Sequence, residues 1–311
     1  MNFKHLRNLC VAFVVLGLFA CQEDSVNAPA IPDEVITKIE NMGFNPDGIE
    51  VVEEGYRIER DIIISHEMLE HTPTQHTVPN LEQYATNNLV GVGAGRVITV
   101  YINAEDNAGN STANNNGGPG NAKPPGAGGG NGGGGGGGAD FSATYGAAVN
   151  EAISRYNAEG LNLTFERVFQ SGADINFSRL SKRDERRGVL GSAGFPSASG
   201  NPYGTINMSG VLESSYGLSV NGIATIIAHE MGHCIGFRHT DYFDRSISCG
   251  GSPSNEGDAG IGANHIPQTP TGASLNQQSF MLSCTDGSNR PFNNDDKTAL
   301  DCLYGQSNPC L

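Results

Sequence analysis

The chain has 311 residues and a 37% hydrophobic content, enough to bury a sizeable core and to exclude a protein disordered throughout. Its formal net charge of -15 excludes general binding to nucleic acid or to anionic headgroups, because phosphate-binding surfaces need clustered Lys and Arg. The acidity reads mainly as solubility.

Lys4 and Arg7 precede an apolar run over 9–20, the layout of a secretory signal and too short to span a bilayer comfortably. The run ends Leu18-Phe19-Ala20-Cys21, which resembles the lipobox of bacterial lipoproteins. That resemblance implies a signal over 1–20, lipidation at Cys21, and a place in the bacterial cell envelope, at the outer membrane or cell surface, with the lipid as the sole membrane contact. Phe19 is bulkier than the residue usual there, so cleavage further on, near Ala28, giving a free secreted protein, stays the alternative.

After the signal, Asp33, Glu34, Val35, Ile36 and Ile39 suggest a short amphipathic helix, and 56–65 reads as extended. The run 97–102 alternates poorly and is expected to be a strand buried on both faces. From 107–139 the sequence is almost entirely Gly, Asn, Ala and Pro, so it cannot bury enough apolar surface to offset its ordering entropy and is expected to be a flexible insert. Its glycines lack a Walker lysine, which excludes a phosphate cradle.

Helical spacing of Ala147, Ala148, Ala152, Ile153 and Tyr156 predicts a helix over 143–157, with Gly160 as a stop. Strands follow over 161–169 and 173–177, and 204–208 reads as an edge strand. The strongest helical segment runs over 223–235, with Ser219 and Asn221 as possible caps.

On that helix sit His229, Glu230 and His233. A spacing of four puts both imidazoles on one face, near enough to grip one ion, with Glu230 within reach of the ion's water. Gly236 should break the helix so that His239 returns to the same metal. The run His229-Glu230-Met231-Gly232-His233-Cys234-Ile235-Gly236-Phe237-Arg238-His239 fits H-E-x-x-H-x-x-G-x-x-H and resembles the metzincins at every specified position. What this resemblance implies is a zinc-dependent endopeptidase acting on protein or peptide substrates. Its Zn2+ is held by His229, His233 and His239, Glu230 is the general base, and Met281 lies in a Met-turn beneath the metal. The position two residues after that methionine, a tyrosine ligand in some metzincins, is Ser283, so no tyrosine ligand is expected.

The layout over 95–311 resembles a matrixin-type metzincin, and in detail the bacterial dual-action HEIGH metallopeptidases (peptidase family M57), with Met231 in place of the usual aliphatic residue. The implied fold is α+β: a twisted mixed sheet with an active-site helix, a Met-turn and a C-terminal helix, interrupted by the insert at 107–139. Residues 21–92 then read as a propeptide-like region, with a stand-alone binding module as the rival. No cysteine is placed there to cap the zinc, so inhibition would use a carboxylate, a histidine or steric blockage. The alternative from another class is a surface lipoprotein that binds zinc or a partner without cleaving it.

His66, His71 and His76 are five apart, which does not stack them on one helical face, so they read as solvated. His265 is as well explained by structural hydrogen bonding as by lining a cleft. Asp241 and Asp244 follow the third histidine and are candidates to orient it, or are turn residues. Among the cysteines, Cys249 with Cys284 and Cys302 with Cys310 are the expected pairs, leaving Cys234 buried beside the metal helix; sequence alone does not fix connectivity.

Overall fold

The computed structural model describes residues 30–42, 44, 46, 48–70, 83–109, 139–257, 261–270, 278–306 and 310. The expected signal, Cys21, His71, His76 and all but the ends of the glycine-rich insert lie outside the described residues.

The N-terminal part folds as α1 (Asp33–Asn41), β1 (Glu50–Val52), β2 (Gly55–Ile58), β3 (Ile62–Ser65) and α2 (His66–Glu70). Ile39, Met42, Phe44, Tyr56, Ile58, Ile62, Ile64 and Leu69 close into a small core of their own that includes Phe195 from the body of the protein. The body follows as β4 (Tyr84–Ala85), β5 (Arg96–Tyr101), a 3-10 turn at Glu105–Gly109, α3 (Ala143–Asn157), β6 (Leu163–Val168), β7 (Ile175–Arg179), α4 (Lys182–Arg186), β8 (Gly191–Ala193) and β9 (Thr205–Met208). It ends with α5 (Val220–Cys234), α6 (Ser246–Cys249), β10 (Asn264–His265) and α7 (Asn294–Tyr304).

The expected α+β class holds. Eight strands form one mixed sheet in the order β1-β2-β3-β8-β9-β7-β5-β6, and β4 pairs with β10 separately. β6, β5, β7 and β9 run parallel, while β8 is antiparallel to β9. On the sheet face bearing Ile98, Val100, Leu163, Phe165, Ile175 and Ile206, these side chains share one core with α3 and α5. The small side chains Ala148 and Ala152 on α3 let it sit close to α5, and Tyr156 fixes the pair by donating its hydroxyl to Ala228 O at 2.7 Å.

Three expectations about strands change. β5 is buried on one face only: Ile98 and Val100 point inward, while Val97 on the other face is 54% exposed. Its unbroken run of β-branched residues reflects strand preference on both faces rather than burial on both. The piece at 204–208 is not an edge, since β9 pairs with β7 on one side and β8 on the other. The strands expected over 161–169 and 173–177 are β6 and β7, with Leu161 buried just ahead of the first. By contrast α3 has the predicted bounds, and α5 is capped by Ser219, whose side chain accepts from Gly222 N, and not by Asn221.

Tyr156→Phe removes a buried hydrogen bond between the two helices that carry the core. It should lower stability by about 1 kcal/mol, with Tm falling roughly 2–4 °C in a domain of this size, as measured by calorimetry.

Candidate metal centre

The helix α5 is buried on all sides from Gly222 to Cys234, so it runs through the core and its last turn is held rigidly. Its end is a Schellman turn: Gly236 N donates to His233 O at 2.9 Å and Phe237 N to Gly232 O at 2.9 Å, with Gly236 at φ +107°. That turn needs the positive φ glycine supplies, and it reverses the chain. Arg238 N then bonds Tyr84 O and Thr240 N bonds Met281 O, which fixes His239 between them.

The three imidazoles converge. Their Nε2 atoms lie 3.1 Å (His233 to His229), 3.2 Å (His233 to His239) and 3.3 Å (His239 to His229) apart. Each Nδ1 faces its own acceptor: Phe280 O at 2.9 Å for His229, Phe237 O at 2.8 Å for His233, and Glu256 Oε1 at 2.5 Å for His239. With the Nδ1 protons donated in this way, His229 and His233 turn their Nε2 lone pairs toward each other and toward His239 Nε2. Such a set is repulsive by itself and is satisfied by a cation; nitrogens held about 2.0–2.1 Å from a tetrahedral ion sit about 3.3 Å apart, close to the spacing found. The donor set therefore fits a metal, and among the described residues this is the histidine, cysteine and carboxylate cluster able to hold one.

Electrostatics agree. Burial depresses His229 to about 4 and His233 well below the usual range, so both imidazoles are neutral. Burial would lower His239 too, but the carboxylates of Glu256 and Asp61 outweigh it and lift it to about 10, which marks the place where the surroundings most favour positive charge.

Glu230 is buried, and burial, reinforced by Asp61, raises its carboxyl well above the usual range. Its Oε2 has no hydrogen-bond partner among the described residues. The strand β8 passes directly against it, since a Cβ on Gly191 would fall 2.5 Å from Glu230 Oε1. Beneath α5 lies the turn carrying Met281, whose Sδ would be 2.6 Å from a Cβ at Gly232. Asp296 of α7 holds that turn by accepting from Ser279 Oγ at 2.6 Å and Phe280 N at 3.2 Å.

Over residues 133–304 the sequence matches the model of the dual-action HEIGH metallo-peptidase family. The chain belongs to that family. No curated protein matches it. Among solved structures it is similar to one titled "Structure of myroilysin", at 14% identity and a TM-score of 0.36, covering 71% of this chain and 97% of that chain. Membership makes the protein a metallopeptidase, with protein or peptide as its substrate.

In this HEIGH metallopeptidase the aspartates singled out by sequence do not orient His239. Asp241 accepts from Ser283 N and Oγ and from Ser248 Oγ, bracing the segment after Met281, and Asp244 accepts from Ser246 N and Oγ in the turn that leads into α6. His239 is oriented instead by Glu256, which lies in a long loop and carries no motif. Burial opposes ionisation of Glu256, but His239 and Arg245 outweigh it and hold its carboxyl well below the usual range. His265 pairs with Thr269 Oγ1 at 3.0 Å and His66 packs on Tyr56, both apart from the cluster. Cys249 pairs with Cys284 and Cys302 with Cys310, and Cys234 is buried and free.

Glu256→Gln keeps an acceptor of the same shape but removes the charge behind His239. Competition against a chromogenic chelator should show metal affinity falling roughly 10–100-fold.

Proposed function

We propose that this metallopeptidase is a zinc-dependent endopeptidase of metzincin type, with His229, His233 and His239 as ligands and Glu230 as general base. The convergence of three Nε2 atoms beside a carboxylate whose Oε2 has no hydrogen-bond partner among the described residues carries this reading. Three imidazoles at tetrahedral spacing suit Zn2+, whose bound form supplies Lewis acidity and lowers the pKa of water to about 7.

The chain's own groups do the rest. The raised basicity of Glu230 suits it to take a proton from the attacking water and to return it to the leaving amine. Met281, packed under Gly232, supports the floor of the site as a Met-turn residue. A cavity of about 470 Å3 runs beside His229 and Glu230, with Leu218, Ile226 and Leu282 among its walls, and suits an apolar side chain of the substrate next to the scissile bond. Because β9 is paired on both sides, an extended peptide would not add its main-chain hydrogen bonds along 204–208, and β8 is likewise flanked by β3 and β9.

Export and tethering through Cys21 belong to the same proposal and rest on the lipobox-like sequence. No helix among the described residues is long and apolar enough to cross a membrane.

Glu230→Gln should retain zinc and lose at least about 100-fold in kcat on casein, while His233→Ala should lose both metal and activity. Native activity should disappear on chelation and return with Zn2+. Cleavage that survives the Glu230 substitution or full chelation would overturn the assignment and favour a binding lipoprotein.

A further inference from the structure

The cavity beside His229 and Glu230 is apolar along its walls, at Leu218, Ile226 and Leu282, but its lining also contains the guanidinium of Arg290. Arg290 is 4% exposed, so its charge is largely withdrawn from bulk water. Its Nε has no hydrogen-bond partner among the described residues. Nη1 donates to Ser279 O at 3.4 Å and to Cys284 O at 3.3 Å, both long for a charged donor.

The carboxylate paired with Arg290 is a weak partner. Asp286 Oδ1 stands 3.7 Å from Nη2, beyond hydrogen-bond distance, on a side chain 67% exposed. The same oxygen already accepts from Ser288 N at 3.0 Å and Ser288 Oγ at 2.6 Å. Arg57, Arg155, Arg167 and Arg238 also turn inward, and each holds a carboxylate oxygen at 2.6 to 3.5 Å. A buried guanidinium lacking such a partner is costly, and an anion arriving from outside would satisfy it. The other cations of the cavity are less suited: Arg245 is committed to Glu59 and Glu256, and Arg60 is exposed to solvent.

Arg290 is also fixed relative to the metal centre. Its backbone N donates to Thr225 Oγ1 at 2.9 Å, and Thr225 lies one turn before His229 on α5. Ser279, whose carbonyl it holds, directly precedes Phe280, whose carbonyl faces His229 Nδ1. Bracing that turn uses Nη1 alone and leaves the rest of the guanidinium for a ligand. One helix and one turn thus set both the first histidine and the cation, so a peptide held at the metal centre can reach Arg290 through a single side chain.

We propose that Arg290 is a specificity-determining residue that selects substrates with an acidic side chain next to the scissile bond. The methylenes of that side chain pack against Leu218, Ile226 and Leu282, and its carboxylate accepts from the guanidinium. This rests on reading the three histidines and Glu230 as the catalytic centre of a peptidase.

The test uses the full chain loaded with zinc and fluorescent peptides identical except for Glu or Gln at a residue flanking the cleaved bond. Cleavage gives kcat/KM and fluorescence anisotropy gives Kd. The native chain should favour the Glu peptide at least about 10-fold in both, the scale of a charge-assisted hydrogen bond in a buried site. Arg290→Gln should bring the ratio to within about 2-fold of unity, while Arg290→Lys, which keeps the charge, should retain part of the preference. Asp286→Asn, on an exposed side chain, should raise the ratio about 2-fold or more by removing a competing carboxylate. Should Arg290→Gln fail to fold, an unaltered ratio in Asp286→Asn overturns the inference. Equal or absent binding and cleavage of the two peptides by the native chain also overturns it, as does a preference that survives Arg290→Gln; a merely structural arginine would lower both peptides alike. A Glu preference in binding without cleavage by any form leaves Arg290 as the selecting residue and overturns the peptidase reading instead.

Discussion

Three imidazole nitrogens turned toward one another, 3.1 to 3.3 Å apart in a buried site, are the constraint around which the body of this protein is arranged. Left alone they repel, and burial denies two of them the proton that would relieve the repulsion. The geometry persists because each ring is pinned from behind by an acceptor on a different part of the chain: the turn before Met281, the turn ending α5, and the loop carrying Glu256. Only a scaffold that fixes those three acceptors relative to one helix can hold the rings in this arrangement, and a cation is what makes it favourable.

The scaffold does so through close approaches that larger side chains would prevent. Gly232 lets the Met281 turn sit against α5, so that Phe280 O reaches His229, and Asp296 anchors that turn from α7 with Gln83 Nε2 donating to the same carboxylate. Tyr304, also from α7, donates its hydroxyl to Ile235 O and accepts from Val90 N, closing the far side of the helix end. Each contact joins segments distant in sequence, so the metal site and the core are one construction.

That division explains what could be read from the residues in order. The two helix histidines, the breaking glycine and the returning histidine lie within eleven residues, and local rules of helix spacing and termination reach that far. The bounds of α3 were likewise legible from its own apolar period. The pairing of β9 was not, because an edge and an interior strand differ in their neighbours, and the neighbour here, β8, is three residues with no apolar signature. Glu256 and Asp61 were illegible for the same reason: each is an acidic residue in a turn or loop, and only the folded chain brings it to His239. Asp241 was closer in sequence and was drawn into bracing Ser283 and Ser248 instead.

The charges around the site explain how so many ionisable groups stay buried together. Glu59, Asp61, Glu230 and Glu256 gather at three imidazoles, with Arg238 and Arg245 as the neighbouring cations. A divalent cation would add to the two arginines in offsetting these carboxylates, of which burial already pushes Glu59 and Glu230 toward the neutral form. Glu59 and Asp61 both belong to the turn between β2 and β3. Asp61 lies 3.3 Å from His239 Nε2 and Glu59 pairs with Arg245, so that turn completes the ring of charge around the third histidine.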